Sequence, residues 1–478
     1  MNHLASRSES SADTGVDIAA RSGSLYRAVW RWHFYAGLLC LPFLVMMAVT
    51  GALYLFRDEI NAVVYRDLLQ VPAASSTALA PEALVARAVA AVPGQVRRYV
   101  PAPAAGRSVE VGIAAAGGQR ITMYLDPSTG AVLGHLRDDR KPMDVVKRIH
   151  SLVIAGTVAN HGIEIVAGWA IVLVVTGTYL WWPRGRTGGV ISVRGSPARR
   201  LWWRDLHAVT GAFAAIAILF LAVTGLPWSA FWGHQFGALT NAWGIGVPAY
   251  VWSKAPPSTV PMAQQGEVPW TLGQATVPLS SAPAGDPHAE HAGHGGGGPL
   301  PASSPGAIGL DAAITAFERL HLAAGYSVNL PDGPRGVYTA MLFPDDVTHE
   351  RVIHLNQYSG QPLIDVGYAD YGVAGKATEW GISLHTGRQF GLPNQLVMLA
   401  GCLAIVALAV TSAVMWWKRR PRGRLAAPER KDGDRLARSV IAIAVVLGLL
   451  HPLLGASMLV AWAIDAALPR AWRARFGL

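Results

Sequence analysis

Four histidines occupy matched positions in two halves of this chain. Trp32-His33-Phe-Tyr-Ala-Gly37 leads into Ala48-Val-Thr-Gly51, and Asp205-Leu-His207-Ala-Val-Thr-Gly211 leads into Ala222-Val-Thr-Gly225. His33 precedes Gly51 by 18 positions, and His207 precedes Gly225 by 18. His150 precedes Thr176 by 26 and Trp181 by 31, and His385 precedes Thr411 and Trp416 by the same intervals. Ionisable side chains at membrane depth are costly and usually functional, and imidazole is a standard axial ligand of haem iron. Two histidines facing each other from different helices can take both axial positions, which suits electron transfer better than oxygen chemistry. Gly37 and Gly211 follow their histidines by four, on the same helix face, and leave room for a flat macrocycle.

The expected cofactors are therefore two haems, with His33 and His207 as axial ligands of one and His150 and His385 of the other. For any single histidine the bland alternative is an interfacial, hydrogen-bonded side chain. Recurrence at matched positions is what favours ligation. The repeated Ala-Val-Thr-Gly reads as close helix packing rather than chemistry. Thirty-one residues of straight helix span about 46 Å, more than the roughly 30 Å hydrocarbon core. His150 and His385 then lie above that core, and Asn160-His161-Gly162 and Gly391-Leu-Pro393 are the expected helix breaks. His161 is nearer the core and rivals His150, although the position matching it in the other half is Leu396. His451, beside Pro452, is assigned a structural role.

The elements that position these residues are membrane spans. Five apolar stretches reach the about 20 residues a span needs: roughly 32–56, 162–182, 206–228, 394–417 and 438–464. Basic segments flank them, including Arg184–Arg204 and Lys418–Arg424, so these loops face the cytoplasm and the N-terminus is inside. The expected fold class is mainly α integral membrane: a four-span bundle from two parallel repeats, a fifth span, and two small α+β extracytoplasmic domains. The expected order is a disordered tail at 1–26, span 1 at 27–56 and the first outside domain at 57–143. An interfacial helix with span 2 follows at 144–183, a basic loop at 184–204 and span 3 at 205–232. A Pro/Gly/His-rich linker covers 233–308 and the second outside domain 309–376. Then come an interfacial segment with span 4 at 377–418, a basic loop at 419–437, span 5 at 438–466 and a tail at 467–478. Arg470, Arg473 and Arg475 fit poorly outside, where a fifth crossing would leave them.

Each outside domain has a helical stretch followed by strands, with Asp126-Pro-Ser-Thr-Gly130 and Asn356-Gln-Tyr-Ser-Gly360 as hairpin tips. Each half of the chain is thus a span, an outside domain, a histidine and a span. Two spans per unit orient both copies alike, and parallel repeats are related by an axis along the membrane normal. His33 and His207 then meet near the cytoplasmic face, and His150 and His385 near the outer face.

Other chemistry is limited. The chain carries a formal charge of +10, yet its basic residues cluster beside apolar stretches, so no nucleic-acid partner is expected. Two cysteines without a Cys-x-x-Cys pair exclude a disulfide framework, an iron–sulfur cluster and covalently attached haem. No dinucleotide fingerprint, phosphate loop or His-Glu-x-x-His occurs. Electrons must come from a separate donor, a membrane quinol or a cytoplasmic reductase. His288, His291 and His294 in the glycine-rich linker form a candidate weak divalent site, weighed evenly against low-complexity drift. His135, His321, His349 and His354 read as surface or strand residues.

Trp-Arg-Trp-His33 with Ala-Val-Thr-Gly51-Ala-Leu-Tyr, the Ile149–Gly156 segment, and Ala170–Arg184 resemble the PepSY-associated transmembrane family. That family includes iron-regulated membrane proteins and ferric-siderophore reductases. The resemblance covers about 27–420 and implies PepSY-type outside domains, each a helix on a small antiparallel sheet. It also implies a membrane-bound, two-haem ferric-chelate reductase of the bacterial inner membrane that passes electrons outward to a ferric-siderophore or other metal chelate in iron acquisition. Ferrous iron binds siderophores weakly, so reduction releases it. The rival readings are a non-enzymatic PepSY-type membrane binding protein, and a metal-handling accessory centred on the histidine-rich linker.

Overall fold

The computed structural model describes residues 5–72, 77–184, 188–281, 305–420 and 438–469, with side chains from 25 onward and, in the last segment, from 440. The chain divides into two units. A helical unit holds Met1–Ala52, Ile149–Trp232 and Val397–Leu478, and a sheet unit holds Leu53–Arg148 and Gly233–Leu396.

Four helices are long and apolar enough to cross a bilayer: span 1 (Leu25–Leu55), span 2 (Thr157–Trp181), span 3 (Arg200–Trp228) and span 4 (Leu392–Arg419). Phe213 and Ile216 are 73% and 80% exposed on span 3. Such apolar surface is unfavourable against water and at ease against lipid. The protein is a multi-pass membrane protein. The basic ends of the spans gather together, since Lys418 donates to the Ala198 carbonyl and the Arg184 guanidinium lies over the Tyr26 ring. Over 5–24 the expected disordered tail is instead a helix continuous with span 1, which runs Ala5–Leu55. No proline interrupts that segment, and it is well supplied with Ala, Ser and Arg.

The fifth span is not one crossing. Arg438–Leu450 and Pro452–Ala467 are separate helices, about 20 and 24 Å long at 1.5 Å per residue and so each shorter than the roughly 30 Å core. Pro452 lacks an N–H and clashes with a continuing helix, so the chain turns at His451 (φ −132°, ψ 81°). Gly448 and Gly455 then touch: a Cβ on Gly455 would stand 2.7 Å from the Gly448 carbonyl oxygen. The second arm runs along span 2 in the same direction, placing Leu454 against Gly168 and Ser457 against the Trp169 indole N–H at 3.0 Å. The hairpin returns the described chain alongside span 2 as far as residue 469, and Arg470, Arg473 and Arg475 lie outside the described residues.

The break after His150 also differs from expectation. Span 2 runs unbroken through Asn160-His161-Gly162, and the chain turns earlier, at Leu152 (φ 55°) and Gly156 (φ 100°). The break at Gly391 (φ 58°) is where expected.

In the sheet unit the first group of strands is β1 (Gly94–Val100), β2 (Val109–Ala115), β3 (Arg120–Leu125) and β4 (Val132–Arg137). A two-stranded ribbon follows, β5 (Pro257–Pro261) and β6 (Thr276–Pro278). The second group is β7 (Ser327–Asn329), β8 (Val337–Leu342), β9 (Arg351–Asn356) and β10 (Pro362–Gly367). The two groups are not separate domains. They form one antiparallel sheet in the order β10-β9-β8-β7-β1-β2-β3-β4. An unpaired β1 edge would expose backbone donors and acceptors, and pairing Tyr99 with Val328 covers it. Helices Pro81–Ala91 and Gly309–Arg319 share one core over this sheet, built on Leu84, Ala88, Ala313 and Phe317. They also cap each other: Glu82 Oε1 accepts the Leu310 N–H at 2.7 Å, and Asp311 Oδ1 accepts the Glu82 N–H at 2.9 Å.

Both expected hairpin tips form. Asp126 accepts from Ser128 and Thr129, Asn356 from Tyr358 and Ser359, and Gly130 and Gly360 take φ of 69° and 67°. In the expected linker over 233–308 the described residues up to 281 are packed structure, because their apolar side chains have a core to enter. Val247, Val251, Met262, Leu272 and Val277 pack against Met341, Val352 and Ile364 of the sheet. His354 is a core residue, fully buried in β9 with Nδ1 at 2.9 Å from the Thr339 hydroxyl, and burial pushes its pKa down to about 3.

Candidate functional site

His33, His207 and His150 each sit against a threonine of another segment. His33 Nδ1 of span 1 lies 2.9 Å from Thr176 Oγ1 of span 2. His207 Nδ1 of span 3 lies 2.9 Å from Thr411 Oγ1 of span 4. His150 closes the short helix Pro142–His150, and its Nδ1 lies 3.0 Å from Thr50 Oγ1 of span 1.

The threonines decide which ring nitrogen carries the proton. A hydroxyl has one proton to give. Thr176 donates it to the Val172 carbonyl at 2.7 Å, Thr411 to Ala407 at 2.8 Å and Thr50 to Met46 at 2.6 Å. Toward the imidazole each oxygen can then only accept, so each Nδ1 carries a proton and donates it. The hydrogen-bond network thus assigns the tautomer and leaves the Nε2 lone pair free. Metal-binding histidines are usually held by such a partner on the other ring nitrogen.

Glycine beside two of the three seats, those of His33 and His150, gives the ring its room. A Cβ on Gly177 would stand 3.1 Å from His33 Cε1, and one on Gly51 would stand 3.4 Å from His150 Cε1. Gly37 and Gly211, expected to clear space for a macrocycle, face Leu173 and Leu408 at ordinary packing distance. The Ala-Val-Thr-Gly repeat was the misread signal: Thr50-Gly51 is a histidine seat as well as a packing motif. Thr224, at the matching position, back-bonds to Phe220 as Thr50 does to Met46.

The structure brings His33 and His207 together, with ring centroids 6.4 Å apart and planes at 81°. Two imidazole nitrogens bound to one metal at about 2.0 Å each, with roughly 1.1 Å from each nitrogen to its ring centre, give a centroid separation of about 6.2 Å. The spacing of the pair is close to that value. Just before His207, the fully buried Asp205 is held by Arg194 Nε at 2.7 Å and Arg204 at 2.6 Å, which anchors the start of span 3.

The other candidates fall elsewhere. His385 is the last residue of the helix Val373–His385 in the sheet unit. His161 Nδ1 lies 2.8 Å from the Thr157 carbonyl of its own helix, so it sits on no threonine seat. His288, His291 and His294 lie outside the described residues. Among the described residues no group of three or more His, Cys, Asp or Glu side chains could hold a metal ion.

A family model, the PepSY-associated transmembrane region, matches residues 30–419. The chain belongs to this family. The matched region carries all four spans and the four repeat histidines, and it ends before the C-terminal hairpin. No curated protein matches the chain.

Proposed function

We propose that the protein is a two-haem electron-transfer protein that reduces a ferric-siderophore or other metal chelate in iron acquisition. In this reading it sits in the bacterial inner membrane with its N-terminus in the cytoplasm, and the chelate is reduced on the periplasmic side. One haem b lies between His33 and His207. The sequence repeat assigns the second to His150 and His385, and the matched histidine–threonine distances support two parallel copies around one axis. The donor is a membrane quinol or a cytoplasmic reductase.

The observation that carries this reading is the 6.4 Å His33–His207 separation, with each Nδ1 engaged by a threonine. A haem held there supplies one-electron redox chemistry. The chain's own residues do the rest. His33 and His207 would hold the iron through Nε2, Thr176 and Thr411 fix the ring tautomers, and Gly177 admits the His33 ring. The test is a reduced-minus-oxidised spectrum of purified protein, with haem and iron quantified, followed by ferric-chelate reduction in proteoliposomes. Sharp b-type bands and chelate reduction are expected. Protein that purifies folded and free of haem overturns the proposal.

A further inference from the structure

The hairpin tip places a second pair of ionisable groups inside the helical unit, apart from the histidine seats. Glu164 of span 2 is 1% exposed and His451 is 5% exposed. Glu164 Oε2 accepts the backbone N–H groups of Phe231 and Trp232, each at 3.1 Å. Among the described residues its Oε1 has no hydrogen-bond partner, and neither ring nitrogen of His451 has one. His451 Nδ1 stands 4.0 Å from that Oε1, too far for a hydrogen bond but one small shift away from it. Buried polar atoms are almost always paired, and unpaired ones call for an explanation. In lipid the demand is stronger.

We propose that Glu164 and His451 form a proton-binding site within the membrane, with Nε2 of His451 as the atom that takes the proton. Two backbone N–H donors orient the carboxylate. Its Oε1 faces Nδ1 across the 4.0 Å gap, and a small shift would let it accept from Nδ1 as a carboxylate does from an imidazole in hydrolytic triads. A proton taken from water adds to the Nε2 lone pair, and the product is an imidazolium beside a carboxylate, with no electron transferred.

The surroundings leave Glu164 as the group that answers the new charge. It is the charged neighbour whose field acts on His451. The backbone partners of His451, Leu447 and Gly455, are neutral, as are Leu454 and Ser457 of the second arm. Trp232, whose indole N–H bonds the Leu450 carbonyl at 3.0 Å, ties the tip to the chain that supplies the N–H donors. Protonation therefore tightens the seat of the hairpin on span 2. The site lies beyond the family region on its His451 side, and it does not rest on the haem reading.

The test is pH-difference infrared spectroscopy on the full-length protein in lipid bilayers. A carboxylate band and an imidazole band are expected to titrate together. His451→Gln should abolish both, and Glu164→Gln, which keeps the acceptor oxygen for Phe231 and Trp232, should remove the carboxylate band and lower the imidazole midpoint by about one unit or more. An unchanged imidazole midpoint in Glu164→Gln, or no carboxylate change in the wild type, overturns the proposal. Should a variant fail to fold, 15N-histidine spectra of the wild type decide. One solvent-protected imidazole must gain a second proton as pH falls, and the proposal fails if none does.

Discussion

The membrane helices hold histidines in two conditions. His33 and His207 each have Nδ1 tied to a threonine, and the two rings stand 6.4 Å apart. His451 has neither nitrogen tied and stands 4.0 Å from a carboxylate that has a free oxygen of its own. A neutral hydroxyl acceptor fixes a tautomer without adding charge, which suits a ligand that must stay neutral to bind metal. A carboxylate partner favours the charged imidazolium, which suits a proton acceptor. The partner, rather than the histidine, separates the two roles.

The largest effect should come from the ring seat itself. Gly177→Leu drives a side chain into His33, where even a Cβ would stand 3.1 Å away. Overpacking of this kind costs about 1–3 kcal/mol, and it should expel the inner haem while leaving the spans inserted. Haem content per folded protein measures it. Thr176→Val keeps the shape but leaves the Nδ1 proton unpaired. Loss of such a partner weakens metal binding by about 10–100-fold, and Thr176→Ser should restore it. If Thr176→Val retains haem as the wild type does, the contrast between the seated and unseated histidines has no functional weight.

Much of this contrast was legible in the sequence, but not all. The matched intervals picked out His33 and His207, whose rings the structure brings to 6.4 Å, and the four spans follow from apolar length. Thr50 was hidden because a Thr-Gly pair in a span reads first as packing. Thr176 and Thr411 were visible only as rulers for spacing. Glu164 was missed because its partners are backbone N–H groups from Phe231 and Trp232 and a histidine far along the chain. The hairpin was missed because composition counts apolar residues and does not register that Pro452 and two glycines fold the stretch in half. In the sheet unit the strands and tips were legible from alternation and turn residues. The joining of the two strand groups through β1 and β7 was not, since edge pairing leaves no local signature.

Topology sharpens the comparison further, because a hairpin places His451 at its tip and returns the chain. A tag after residue 469 should be labelled from the same membrane face as the loop between spans 2 and 3. Labelling from the opposite face would restore a fifth crossing and remove the tip.

A smaller effect concerns buried acids outside the spans. Burial pushes Glu350 well above the usual carboxylate range, and the nearby Glu379 carboxylate adds to it. Tyr371 donates to Glu350 at 2.8 Å, and the Thr271 N–H donates to Glu379 at 2.7 Å. A raised folded pKa gives stability that is fully present below the unfolded value and lost as pH rises through the folded one. The sheet unit should therefore unfold at lower temperature as pH rises through that window, and Glu350→Gln should flatten the dependence. Circular dichroism melts across pH measure this. The smallest effect belongs to His161, which bonds its own helix. His161→Ala should leave haem content within error of the wild type.

The most direct measurement is haem stoichiometry with low-temperature electron paramagnetic resonance on wild type, His33→Ala and His207→Ala. The wild type should show a low-spin centre with two imidazole ligands, and each variant should lose that signal and the same haem. Wild-type protein lacking the signal, or variants that both keep it, would contradict a haem between His33 and His207.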